Sequence, residues 1–182
     1  MFWLVLIACG PKKPPADAVE MEREVPTAPL PMPTVAGNPL PYGTAHPFEL
    51  AQTDAELALV RAEEIVLGMD RWPAAADAAT SKMRAMNLVG ESERALVELR
   101  LAASQHDLAD IAACRTGDAL RLAAAAVLET APPVDGAVDP LLREAAQPLI
   151  DQATSAYSSV LHGADARWEG HARWGLGELE EL

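Results

Sequence analysis

From Phe48 to Leu182 the chain predicts an all-α domain, on three observations. Ala, Leu, Glu and Arg, all strong helix formers, dominate this stretch. No run of alternating β-branched residues marks a strand. Ser, Thr and Asp stand where helix caps belong, directly ahead of apolar segments of helical period. Six to seven helices with short connections are expected, and short connections make neighbours antiparallel. Aromatic residues are only 4% of the chain, so the core is expected to be mainly Ala and Leu, which lets helices approach closely.

The first helix is expected from about Asp54 to Leu67. Thr53-Asp54-Ala55-Glu56 has capping-box spacing, Ala58, Ala62, Ile65 and Met69 share one face, and Gly68 suits the C-terminal cap. A second helix is expected to begin at Pro73, tolerated in a first turn, and to run to about Met86, with Asn87 and Gly90 breaking it. The third runs from about Ser92 through Leu96, Leu99 and Ala103, then continues or kinks through His106 into Leu108, Ile111 and Cys114. Thr116-Gly117-Asp118 reads as a C-cap followed by an N-cap, which places a fourth helix over Ala119 to Glu129.

A Pro/Gly loop is expected over Ala131 to Val138. Asp139-Pro140 then reads as N-cap and N1 of a fifth helix toward Leu161, which Pro148 must kink or split in two. His162-Gly163 closes it, and Asp165 caps a last helix running to Leu182.

Gly10 to Pro47 has a different character. Ten of the fifteen prolines fall there. Proline removes backbone donors and fixes φ, so a disordered, polyproline-biased tether of roughly 35 to 100 Å is expected. Pro29-Leu30-Pro31-Met32-Pro33 is either spacer or a short docking motif. Net charge is −13, from 27 acidic and 14 basic residues. That balance excludes nucleic acid as a partner, because replacing phosphate counterions needs a positive footprint. Lys12 and Lys13 are a local exception, placed either to meet anionic lipid head groups or to be solvated.

The first nine residues, MFWLVLIAC, are Met1, seven apolar residues ending on the small Ala8, and a cysteine. Eight apolar residues are too few to span a bilayer, which takes ~20. Leu6-Ile7-Ala8-Cys9 resembles the lipobox of bacterial lipoproteins, although no Lys or Arg precedes Lys12. The resemblance implies cleavage before Cys9, so that residues 1–8 are a signal peptide, 9–47 are the lipid anchor and linker, and 48–182 are the helical domain. It also implies that Cys9 carries the acyl chains, palmitate among them. Two or more chains give stable attachment, at ~0.8 kcal/mol per buried CH₂. Gly10, where that family's retention signal would place Asp, implies the outer membrane facing the periplasm. With Cys9 acylated, Cys114 lacks an internal disulfide partner and is expected to be a buried thiol.

Fragments of the helical domain resemble the tetratricopeptide repeat, whose period is about 34 residues. Trp72-Pro73-Ala74-Ala75 with Ala79 is similar to its inter-helix turn and second helix. Ala153 with Tyr157 has the same small-then-aromatic spacing. Ala172 with Leu176-Gly177 is similar to the start of another repeat, with Gly177 where a neighbouring helix must come close and Arg173 in place of the usual Trp. The domain is therefore expected to be either a repeat-like array of helical hairpins or an irregular bundle.

Candidate chemistry is sparse. His106, Asp110 and Cys114 recur every four residues, but on one helix they spread over ~12 Å, too far to share an ion, and no metal or cofactor is expected. His162 and His171 flank a turn that also holds Asp165 and Glu169, and surface placement is the default. No nucleophile motif, phosphate loop, CxxC or HExxH occurs. Trp72, Trp168 and Trp174 are candidate partner-binding residues. Trp168 and Trp174 are six apart, about 240° around a helix, so they are not expected to face the same core. The resemblances imply a non-catalytic protein-interaction or scaffold module in the bacterial envelope. The alternatives are a small-ligand or metal-binding lipoprotein, marked by an inter-helix pocket with converging His and carboxylates, and a hydrolase. The hydrolase would need His106, His162 or His171 beside a Ser or a carboxylate in a cleft.

Overall fold

The computed structural model describes residues 39–40, 51–131, 138–163 and 165–182. The leader with Cys9, nearly all of the stretch expected as a tether, including Pro29 to Pro33, and the interior of the Pro/Gly loop lie outside the described residues. Five α-helices form the described part of the domain, so it is all-α but holds fewer helices than the six to seven expected. They are α1 (Asp54–Asp70), α2 (Ala78–Ala102), α3 (Ala109–Leu128), α4 (Pro140–Val160) and α5 (Ala166–Glu180). A one-turn 3₁₀ helix, His106–Leu108, precedes α3. No described helix is long and apolar enough to cross a membrane.

Three of the expected starts carry the expected caps. Thr53 Oγ1 accepts from the Glu56 amide at 3.2 Å, and Glu56 Oε2 accepts from the Thr53 amide at 2.9 Å, which closes the capping box of α1. Asp139 accepts from the Leu141 amide at 2.9 Å with Pro140 at N1, and Asp165 accepts from the Arg167 amide at 2.9 Å.

The interior boundaries fall elsewhere. Helix α2 starts at Ala78 rather than Pro73, with Asp77 as its N-cap: Thr80 and Asp77 cap each other, the Thr80 amide donating to Asp77 at 2.8 Å. It then continues through Asn87 and Gly90, joining two segments expected as separate helices. Ala85 and Leu88 before Gly90, and Ser92, Ala95 and Leu99 after it, lie on one buried face. That burial outweighs the ~1 kcal/mol that a helical glycine costs relative to Ala. Gly68, expected as a cap, lies inside α1. Thr116-Gly117-Asp118 also lies inside one helix, α3, so the expected break there is absent. Pro148 stands on the exposed face of α4 without splitting it. Water can satisfy the carbonyl that its missing N–H leaves unpaired.

Helix α3 is the centre of the domain and packs against each of the other four. One apolar cluster joins α1, α2 and α3 around Leu59, Val66, Met69, Leu88 and Leu99. A second joins α3, α4 and α5 around Leu120, Tyr157, Val160 and Trp168. Ala112, Ala119, Ala123, Ala124 and Ala126 of α3 are each 1% exposed or less. This is the expected small-residue core, and it lets α3 be shared on all sides.

Candidate functional site

Within this apolar interior five polar side chains meet. Arg115 and Asp118 come from α3, Glu63 from α1, Tyr157 from α4 and His171 from α5, and none is more than 3% exposed. Arg115 and Asp118 are three apart on α3 and so share a face. Arg115 Nη1 donates to Asp118 Oδ2 at 3.0 Å, while its Nε donates to Glu63 Oε1 at 2.9 Å. Tyr157 Oη donates to Asp118 Oδ1 at 2.7 Å. His171 Nε2 lies 3.0 and 3.1 Å from the two oxygens of Asp118.

Asp118 is thus the hub, taking bonds from three neighbours. Burial alone would push its carboxyl up, but the bond from His171, the positive charge of that ring when it is protonated, the charge of Arg115 and the bond from Tyr157 outweigh it and hold the carboxyl at about 2. It is therefore ionised near neutral pH. Burial also works against the charge on Arg115, yet Asp118 and Glu63 raise its pKa further. Burial first, and Asp118 second, push the Tyr157 hydroxyl upward.

An ionised Asp118 accepts, so the imidazole donates from Nε2. That leaves Nδ1 as an acceptor, and the Leu40 amide donates to it at 2.9 Å. The Leu40 carbonyl in turn accepts from Arg115 Nη1 at 3.2 Å. Pro39 and Leu40, which fall within the stretch expected as a tether, thus lie on the helical domain, with Leu40 packed against the second apolar cluster.

Tyr157 reaches Asp118 because two glycines make room for it. A Cβ on Gly117 of α3 would stand 2.5 Å from ring carbons of Tyr157, and one on Gly175 of α5 would meet the same ring. Gly117 is therefore a packing notch rather than a cap. At Gly177, where the repeat resemblance put a close approach, an added Cβ would meet nothing within 4 Å; the close approach is at Gly175.

The candidate tryptophans separate by position. Trp168 is buried, at 4% exposure, with Arg115 5.1 Å from its ring centroid. Trp174 is half-buried, with Arg121 4.8 Å from its ring centroid. His171 lies between them, its ring 5.8 Å from Trp168 and 5.3 Å from Trp174. Trp72 is apart from this group, in the α1–α2 connection, and 38% exposed. His171 is buried, against the surface placement expected of it, because its two nitrogens are both bonded inside the domain. His162 is exposed, and Asp165 and Glu169 pair with Arg167 and Arg173 on α5 rather than with His171.

His106 is exposed on its 3₁₀ turn, whereas Cys114 is fully buried, its Sγ 3.5 Å from the Trp168 carbonyl. Burial, reinforced by Asp118, pushes that thiol up, so it is a packed thiol as expected and a poor nucleophile. Among the described residues no group of three or more His, Cys, Asp and Glu is placed to hold a metal ion.

Beside the cluster a cavity of about 280 Å³ is lined by Pro39, Leu40, Asp70, Arg121, His171, Trp174 and Glu178. Arg121 Nη1 lies 3.5 Å from Glu178 across it. The site can orient an imidazole acceptor and a guanidinium donor side by side. The His171–Asp118 pair has the makings of a general base, but the nitrogen that would act is bonded to Leu40.

The sequence signal for this cluster is Arg115 and Asp118, two of the four charges that α3 carries with Asp110 and Arg121, and the spacing Trp168, His171, Trp174 on α5. No known protein family matches the chain, and no curated protein or solved structure matches it either.

Proposed function

We propose that the chain is a lipid-anchored envelope protein, held through Cys9, whose helical domain docks a protein partner without catalysis. The observation that carries the docking half is an exposed apolar stripe on α2. Met83, Met86, Val97 and Leu101 are 60%, 69%, 64% and 46% exposed. At 3.6 residues per turn they fall within about 60° of arc and extend along roughly 27 Å of helix. Scattered exposed apolar residues are ordinary, but an aligned row of four, two of them adaptable methionines, is suited to a partner helix. Trp72 lies in the connection that leads into α2. The α1–α2 pair with its Trp72-Pro73 turn is read as one helical hairpin of a repeat-like array.

The anchor half rests on Leu6-Ile7-Ala8-Cys9. Intact-mass analysis of the membrane fraction is expected to give a chain lacking residues 1–8 with added acyl mass; an unmodified Met1 terminus contradicts it. For the docking half, a photo-crosslinking residue at Met86 or Val97 is expected to give a discrete adduct in cells. The same residue at exposed Arg61 of α1 is expected to give none, and Leu101→Glu is expected to abolish the adduct. Equal labelling from all positions ends this reading.

A second reading, a small-ligand site, draws on the cavity beside His171, where Asp70, Glu178 and Arg121 converge. Its volume, about 280 Å³, falls just below the usual range for such sites, which suits only a small ligand.

A further inference from the structure

We propose that Arg115 and His171 form a peptide-backbone clamp that recognises a Pro-Leu-Pro sequence, and that the chain's own Leu40, with Pro39 before it, occupies the clamp as its resident ligand. The clamp presents one donor and one acceptor to a single residue. Arg115 Nη1 donates to the Leu40 carbonyl at 3.2 Å, and His171 Nδ1 accepts from the Leu40 amide at 2.9 Å. The N–H and C=O of one extended residue point to the same side, which is how an edge strand is read by its neighbour.

Both clamp groups are also held from inside the domain, apart from their bonds to Leu40. Glu63 and Asp118 hold the guanidinium, and Asp118 holds the imidazole with Nε2 as donor and Nδ1 as acceptor. Arg115 is 0% exposed and His171 1% exposed. Rigid, desolvated donors and acceptors bind a partner with little ordering cost.

The ligand matches in three ways. In Pro-Leu-Pro the leucine supplies the single backbone N–H, since proline has none, and that N–H is the one captured. A proline after Leu40 biases it toward extended backbone, so the segment is preorganised. The Leu40 side chain packs against the cluster that contains Cys114, Tyr157 and Trp168. The same triplet occurs a second time as Pro29-Leu30-Pro31, so the chain carries two copies of the recognised sequence.

This site lies on α3 and α5 and is independent of the α2 stripe and of lipidation. The test uses the full chain with Leu40→Pro, which removes the captured N–H while leaving the helices untouched, and a capped peptide of residues 38–42, Asn-Pro-Leu-Pro-Tyr. Tryptophan fluorescence reports through Trp168 and Trp174. The peptide is expected to bind the variant saturably and about tenfold or more tighter than it binds the unmodified chain, whose site is filled. The same peptide with its leucine replaced by proline is expected not to bind. Absence of saturable binding to a variant with native helical content overturns the proposal, as does equal binding of the two peptides. If the variant loses its helical content, amide exchange in the unmodified chain decides. The Leu40 amide is expected to exchange more slowly than the same amide in the free peptide, and to speed up when excess peptide is added; exchange at the free-peptide rate overturns the clamp.

Discussion

Tyr157 of α4 lies in a notch at Gly117 of α3, where a Cβ would stand 2.5 Å from its ring carbons. From there its hydroxyl reaches Asp118 at 2.7 Å. The glycine is what allows a helix of alanines to admit a tyrosine to its buried carboxylate.

Gly117→Ala and Gly175→Ala are each expected to destabilise the domain by about 1–3 kcal/mol, the usual range for overpacking, measured by urea denaturation. Gly90→Ala and Gly177→Ala, whose new methyl groups meet nothing within 4 Å, are expected to stabilise by up to ~1 kcal/mol through helix propensity. Opposite signs at equivalent chemistry separate packing from propensity.

The depressed pKa of Asp118 makes part of the stability acid-labile. Its folded value, about 2, lies below the ordinary 3.8, so the unfolded chain takes up the proton first. The contribution is whole above about pH 4, falls as pH drops toward 2 and is gone below that, and it amounts to about 2 kcal/mol. The stability difference between the unmodified chain and Asp118→Asn is expected to shrink by that amount between pH 5 and pH 2. A difference independent of pH would contradict the ionised hub.

Arg115→Met leaves Glu63 and Asp118 without their guanidinium in the interior. Breaking a buried ion pair from one side typically costs about 3–5 kcal/mol, and thermal or urea unfolding is expected to show a loss of that order. Adding Glu63→Gln to Arg115→Met is expected to recover part of it, because one of the two buried negative charges that faced the guanidinium is removed.

Cys114 is buried, with its thiol pKa pushed up by burial. A thiol reagent is expected to leave it unmodified in the native protein at neutral pH and to label it fully in denaturant. Rapid native labelling would show that the α3–α5 contact opens readily.

Helix starts are legible in the sequence because caps are local. Thr53 with Glu56, Asp139 with Pro140, and Asp165 each bond within three residues of themselves. Gly117 misleads because the missing Cβ that suits a cap also suits a close approach, here of Tyr157, whereas Gly90 misleads because burial of the α2 face on both sides of it carries the helix through. The polar cluster is hidden because its bonds join residues far apart along the chain, 52 positions for Arg115–Glu63, 39 for Tyr157–Asp118 and 53 for His171–Asp118. His171 reads as a surface histidine because nothing near it in sequence is its partner. Leu40 reads as linker because prolines exclude helix and strand without excluding docking.

The most direct measurement is the tautomer of His171, read by ¹⁵N NMR of the imidazole at neutral pH in the full chain. A neutral ring protonated at Nε2, facing Asp118, is expected, with Nδ1 unprotonated and hydrogen-bonded to the Leu40 amide. A ring protonated at Nδ1 could not accept from Leu40, and finding that form would contradict both the orientation set by Asp118 and the clamp built on it.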